Sequence, residues 1–259
     1  GIISVMSQVS TVLDLSQYDV EKLLASHAHL GTKHSLKAME GYDHTRRGDG
    51  VHVIDVRQTG EKLVLAAMIL AAVENPADVV VCGVSNYCQR ASHKIARYTG
   101  LTSLTGRFTT GTFTNRLTPT FIEPRVLIVN DPRNYHQAIR EADYCNCPVI
   151  AFCDTDAPLS YVDVAIPFNN KSTYSIGVMY WMLTSEVLRI RGAIVRHTEW
   201  EVLPDMFFHS DPEEMQKNAK QIEDKDKKAA AAAAPPAEEE VKAAWAGEGE
   251  CEEEEEDEG

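Results

Sequence analysis

Five short apolar runs, rich in β-branched residues, punctuate the chain: "VHVIDV" at Val51 to Val56, "DVVVCG" at Asp78 to Gly83, "RVLIVN" at Arg125 to Asn130, "PVIAFC" at Pro148 to Cys153 and "VDVAI" at Val162 to Ile166. They are continuous rather than alternating, so strands built from them need cover on both faces. A weaker run spans Leu101 to Leu104. Helical windows at Thr59 to Glu74, Asn86 to Thr99 and Asn134 to Tyr144 separate them. The β-α-β-α order predicts a mostly parallel sheet, and right-handed crossovers put helices on both faces. The expected fold class is α/β, one domain, doubly wound in the Rossmann or flavodoxin manner.

The ends read differently. A helix is predicted from about Tyr18 to His27, ending at Gly31, and a long one from Tyr174 to Ile190, stopped by Gly192. In the long helix Ile176, Met179, Tyr180, Leu183, Val187 and Ile190 keep core spacing, yet Val178, Trp181, Met182 and Leu188 make the other side apolar too. Such a helix is buried on more than one side, by its own domain or by a partner. Beyond Gly192, "EWEVLPDMFFHSDPEE" has neither helical nor strand period and predicts an extended aromatic arm. The remainder, with Ala229 to Ala234, Pro235-Pro236 and an acidic run from Glu252 to Glu258, reads as a disordered tail. The expected organisation is an extension over 1–11, the α/β domain over 12–196, the arm over 197–214 and the acidic tail over 215–259.

Charge follows this division. The formal net charge is −14, but Gly1 to Ser210 holds 19 Lys/Arg against 21 Asp/Glu, whereas the remainder holds 6 against 18. An acidic tail says little about the face of a folded body, so the low pI excludes no polyanionic partner. No apolar run reaches the roughly 18 residues of a membrane span, the N-terminal "GIISVMSQ" is too short for a signal sequence, and Val5 breaks the myristoylation pattern. The expectation is a cytoplasmic protein with no membrane partner, in which Cys82, Cys88, Cys145, Cys147 and Cys153 are buried thiols.

The tempting chemical motifs are incomplete. "GRFTTGTFTN", Gly106 to Asn115, has the glycine spacing of a phosphate cradle, but Thr112 stands where a P-loop has lysine, and the β-branched, Pro119-containing continuation opens no helix. No Gly-x-Gly-x-x-Gly follows a predicted strand. Asp131, Asp154 and Asp156 fall at carboxyl ends of strands, where a metal-dependent phosphohydrolase would place them, but "NDPRN" and "DTDAP" are turn compositions in which Asp caps backbone amides. His27, His29 and His34 lack a companion ligand at metal spacing, as does Cys145-x-Cys147. Arg47-Gly48-Asp49 and the sequon at Asn170 are chance matches in such a chain. The expectation is no catalytic residue, metal, cofactor or small-molecule substrate.

The positive signal is basic. From Tyr87 to Arg140 there are eight Lys/Arg and two acids, Glu123 and Asp131. Arg90, Lys94 and Arg97 share one helix face, and Arg107, Arg116 and Arg125 follow on a Thr/Asn/Gly-rich loop. Lys33, Lys37, Arg46 and Arg47 form a second group in the N-terminal loops. Arginines so placed suit backbone phosphates of RNA. Of these, Lys33, Arg46, Arg47, Arg90, Lys94, Arg97, Arg107, Arg116 and Arg125 are the RNA-binding candidates; Trp181, Met182, Trp200, Phe207 and Phe208 are the candidates for protein contact. An adaptor docking through the Trp181 helix, and the phosphohydrolase, are the rival readings.

Longer strings carry a resemblance. "GRFTTGTFTN", "EPRVLIVNDPR", "FCDTDAPLSYVDVAIPFNNK", "GVMYWMLTSEVLRIRG", "ENPADV" and "WEVLPDMFFHSDPEE" closely resemble the eukaryotic small-subunit ribosomal protein SA, or laminin-receptor-precursor, family, from about Val12 to Glu214. The resemblance implies a parallel α/β fold and a structural role in the 40S subunit. It also implies contacts to 18S-type rRNA and neighbouring ribosomal proteins, and a part in subunit assembly and late rRNA processing. Localisation would be cytoplasmic, with nuclear or nucleolar passage during assembly. The cradle-like loop would then belong to a scaffold without nucleotide. The chain departs from the family at His29-Leu30-Gly31-Thr32-Lys33-His34, where His-Leu-Gly-Gly-Thr-Asn is usual, and in keeping a single tail tryptophan, Trp245. The receptor role attached to longer-tailed members is not carried over.

Overall fold

A computed structural model describes residues 15–196 and 198–210. The N-terminal extension, the acidic tail with Trp245, and the end of the predicted arm lie outside the described residues. Residues 15–209 fall within one compact unit, which includes the arm as far as His209.

Helix α1 (Gln17–Ala25) starts at Ser16, whose hydroxyl accepts from Asp19 N–H at 3.1 Å. Strands β1 (Asp43–Arg46) and β2 (His52–Ile54) form an antiparallel pair. Then come α2 (Val56–Ala72), β3 (Val79–Gly83), α3 (Asn86–Thr99), β4 (Thr102–Thr105), β5 (Val126–Val129), α4 (His136–Tyr144), β6 (Val149–Cys153), β7 (Val164–Pro167) and α5 (Thr173–Ile190). The main sheet is parallel throughout, in the order β4-β3-β5-β6-β7.

Successive side chains of a strand point to opposite faces, and here both faces are covered. Val79 and Val81 of β3, Ile128 of β5 and Ile150 of β6 meet α2, α3 and α5 on the first face. Val80, Cys82, Leu127, Val129 and Val149 meet α4 and Phe113 on the second. This double cover is why the runs are continuous in sequence. The second face has one short helix, because the crossover from β4 to β5 is made by the irregular loop 106–125, which packs Phe108, Phe113 and Ile122 in place of a helix.

Two expectations need correction. The run at Val51 to Val56 is not a strand of the parallel sheet: only His52–Ile54 is extended, and it pairs with Asp43–Arg46, a strand too polar to stand out in sequence. Helix α2 begins at Val56, where Asp55 accepts from Arg57 N–H at 3.0 Å. Cys145 is exposed, unlike the other four described cysteines, because it caps α4 at the surface. α5 is buried along nearly its whole length, Ser175 to Val187, as its two apolar sides require.

Candidate nucleic-acid interface

The cradle-like stretch does hold an anion, and it is a carboxylate of the same chain. Glu141 of α4, 3% exposed, accepts Gly111 N–H at 2.8 Å and the Gln137 amide at 3.0 Å through Oε1, and Phe113 N–H at 3.3 Å through Oε2. Gly111 sits at φ +86°, a conformation that costs a side chain dearly. Thr112 C=O accepts Ile122 N–H at 3.0 Å and closes the neck of the loop. Gly111 N–H and Phe113 N–H, at the second glycine of the stretch, are therefore occupied, and the outer segment projects Arg116 and a 93% exposed Leu117.

A second internal plug fills the crevice where strand order reverses, between β3 and β5, the usual ligand position of such sheets. The Tyr135 hydroxyl accepts from Val84 N–H, and from Ser85 N–H at 3.2 Å, at the start of α3. Burial pushes the Tyr135 phenol far up, so it stays un-ionised.

The strand-end carboxylates are likewise engaged. Asp131 accepts Arg133 N–H at 3.0 Å and the Asn134 amide at 2.8 Å. Asp154, 1% exposed, accepts Thr155 N–H at 2.7 Å and faces Lys171 Nζ at 3.4 Å. Asp156 pairs with the same Nζ at 2.9 Å and with Arg133 at 3.7 Å. Desolvation raises the pKa of both Asp131 and Asp154. Among the described residues no group of three His, Cys, Asp or Glu is arranged to hold a metal.

The candidate cations are distributed over two ends of the sheet. Lys33 lies in a segment tied to the carboxyl end of β6: Thr155 Oγ1 accepts Thr32 N–H at 3.0 Å, and Leu36 N–H donates to Thr155 C=O at 2.9 Å. Arg46 and Arg47 sit at the outer end of the β1–β2 hairpin, whose β2 is joined to that segment through His52, and are exposed. Arg107 leaves the carboxyl end of β4, exposed. These four share one end of the parallel sheet. Arg97, in the last turn of α3, and Arg125, whose N–H donates to Asp78 C=O at 2.8 Å before β3, lie at the opposite end. Lys94 is half-buried between them along α3, and Arg116, exposed, has Glu123 at 3.7 Å. Arg90 turns to the arm: its Nε donates to Met206 C=O at 3.1 Å.

The aromatic candidates come together, but on each other. Trp200 stacks on Trp181 at 5.9 Å, Phe207 on Tyr98 at 6.0 Å, Phe208 meets Tyr174 edge-on, and Trp181 Nε1 donates to Val202 C=O at 2.7 Å. Gly177 lets the arm come this close, since a Cβ there would collide with the Phe208 ring. Trp181, Met182 and Phe207 are buried in consequence, while Leu203 (65% exposed) and Met206 (41%) face outward. Trp181, Met182 and Trp200 also line a groove of about 510 Å³ between α1, α5 and the arm, in which Lys22 Nζ lies over the rings of Tyr18 and Trp181 at 3.7 and 4.1 Å.

Sequence reasoning missed Glu141 and Tyr135. The signal for Glu141 was present: a carboxylate three residues after Ala138 and beside Ala142, on the core side of its helix, is buried only when paired.

The ribosomal protein S2 family profile matches residues 117–189. The chain is 54% identical over 215 residues to the small ribosomal subunit protein uS2 of Trichoplax adhaerens, covering 83% of this chain and 75% of the relative. It is 53% identical to that of Nematostella vectensis, covering 83% and 69%, and 50% identical to uS2B of Schizosaccharomyces japonicus, covering 82% and 76%.

Proposed function

The chain belongs to the small ribosomal subunit protein uS2 family and is a structural component of the small subunit in translation; from that premise we propose that cations at both ends of its sheet hold it on 18S-type rRNA. One observation carries this reading: among the described residues, Lys33, Arg47, Lys94, Arg97, Arg107 and Arg125 form no ion pair with an acid. Phosphates would supply the missing counter-charge, and the rigid sheet sets the register without reading bases. Neighbouring ribosomal proteins are met by the outer side of the arm, Leu203 and Met206, and by the groove beside it. The chain acts without catalysis, in subunit assembly and late rRNA maturation, in the cytoplasm after nuclear or nucleolar passage. The engagement of Asp131, Asp154 and Asp156 by backbone amides and by Lys171 and Arg133 supports the non-catalytic reading.

The test is the salt dependence of rRNA binding by the full chain. Six phosphate contacts give a slope of log affinity against log salt of about −5, and Lys94, Arg97 and Arg107 changed together to Ala bring it to about −3. A slope near zero in the unaltered chain rejects the reading. On sucrose gradients the triple variant should leave the small-subunit peak while remaining folded.

A further inference from the structure

Between the carboxyl ends of β3 and β4 and the loop leaving β4 lies a cavity of about 160 Å³. Its lining is mixed: Cys82, Val84, Leu104 and Phe108 are apolar, and Thr105, Thr109, Thr112 and Thr120 bring hydroxyls. Burial pushes the Cys82 thiol up to about 12, so the floor carries no charge. Thr109 and Thr120 are exposed at the mouth, and Arg107, also exposed, stands beside them. Gly106, at φ +85°, leaves open space where a Cβ would be, so another backbone can approach the chain there. The Glu141 clamp and the Thr112–Ile122 hydrogen bond fix the loop, so the cavity is preformed.

We propose that this cavity receives one unstacked RNA base, with Arg107 on the adjoining phosphate; the inference rests on the rRNA reading above and names what that RNA presents at this point. The volume is well below the roughly 300–1,000 Å³ of small-molecule sites, too small for a whole nucleotide cofactor but suited to a single ring system. The apolar part of the lining, with its one aromatic ring, suits the π-face of a base, and the threonine hydroxyls, which both donate and accept, suit its edge. Proteins that read RNA take unstacked bases in this way. Charge decides between a base and an apolar side chain of a partner protein. Arg116 has Glu123 at 3.7 Å, but Arg107, the cation at the cavity itself, forms no ion pair with an acid among the described residues, a surround suited to a polyanion.

The test uses the full chain and two RNA hairpins with the same stem, one fully paired and one carrying a single bulged 2-aminopurine. The bulged hairpin should bind at least about fivefold more tightly, since stacking one base on an aromatic side chain is worth that much or more. The fluorescence of its 2-aminopurine should change on binding. Thr109→Leu and Thr120→Leu, at exposed positions, block the mouth without offering a ring to stack on. Each should abolish the preference and the fluorescence change while leaving the salt slope as it was. Equal, salt-dependent binding of both hairpins by the unaltered chain overturns the cavity assignment alone. Preference that survives both Leu variants also overturns it, since the base then binds elsewhere. Binding of neither hairpin overturns the rRNA reading together with this one.

Discussion

The two faces of the sheet are closed by different means. The first is covered by three helices and an aromatic arm over a large apolar cluster, with hydrogen bonds such as Thr59 Oγ1 to Pro167 C=O and Trp181 Nε1 to Val202 C=O between its parts. The second is covered by one nine-residue helix and a 20-residue loop, held by a buried carboxylate and a buried phenol, and over β6 and β7 by the segments that carry Met39 and Ala157. Apolar burial is non-directional and tolerates small shifts, whereas a carboxylate accepting two backbone amides fixes a loop in one conformation. The first face therefore supplies bulk stability, and the second supplies a surface of defined shape on which arginines are carried.

The sharpest way to break this contrast is to damage each face in turn. Phe207→Ala removes a fully buried ring that packs on Tyr98 and Trp200, and should cost about 3–5 kcal/mol. Chemical denaturation should show the loss, with no change in the salt slope of RNA binding measured under conditions where the variant is folded. Glu141→Ala leaves the Gly111 and Phe113 amides without their acceptor and should cost about 2–4 kcal/mol. Unlike Phe207→Ala, it should weaken RNA binding by the folded protein, because the loop that carries Arg107 and Arg116 loses its anchor. Rapid amide exchange at Gly111 and Phe113 would report the release directly. Equal effects of the two variants on RNA affinity would erase the distinction between the faces.

The same contrast explains what is legible in the sequence. Apolar periodicity reports burial, so β3, β5, β6, β7 and the all-round burial of α5 follow from the order of residues alone. Polar burial has no period. Glu141 is separated by 30 residues from the Gly111 amide, and Tyr135 by 51 from Val84, and no local pattern links them. The β1 strand is invisible for a related reason: "DHTR" is extended because β2 lies beside it, not because its side chains are buried. For the candidate site, residue types are readable and partners are not. The spacing of Arg90, Lys94 and Arg97 correctly puts them on one helix, but nothing local says that Arg90 meets the Met206 carbonyl.

That carbonyl contact makes Arg90 a discriminating position between the regions. Arg90→Ala should cost about 1 kcal/mol, the scale of one partly exposed hydrogen bond, and should loosen the arm over Phe207 and Phe208. Its effect on the salt slope should be smaller than that of Arg107→Ala, which is expected to reduce the magnitude by about 0.9. A reversed order would move Arg90 from the arm to the RNA surface.

The smallest expected effect comes from the carboxyl end of the sheet, between the two faces. Desolvation raises the Asp131 pKa above its ordinary value. The folded chain thus keeps a proton there that the unfolded chain has released. The resulting contribution to stability is complete below the ordinary carboxylate range and is lost as pH rises through the raised value. Asp131→Asn preserves an acceptor for Arg133 N–H, and the Asn134 side chain can rotate to present its oxygen to the new amide. Unfolding followed across mildly acidic pH should therefore decline less steeply in the variant than in the unaltered chain, with the two converging at the acid end. A steeper decline in the variant would mean that Lys171 and Arg133 outweigh desolvation at Asp131, and that this end of the sheet is stabilised by its ion pairs rather than tolerating a buried charge.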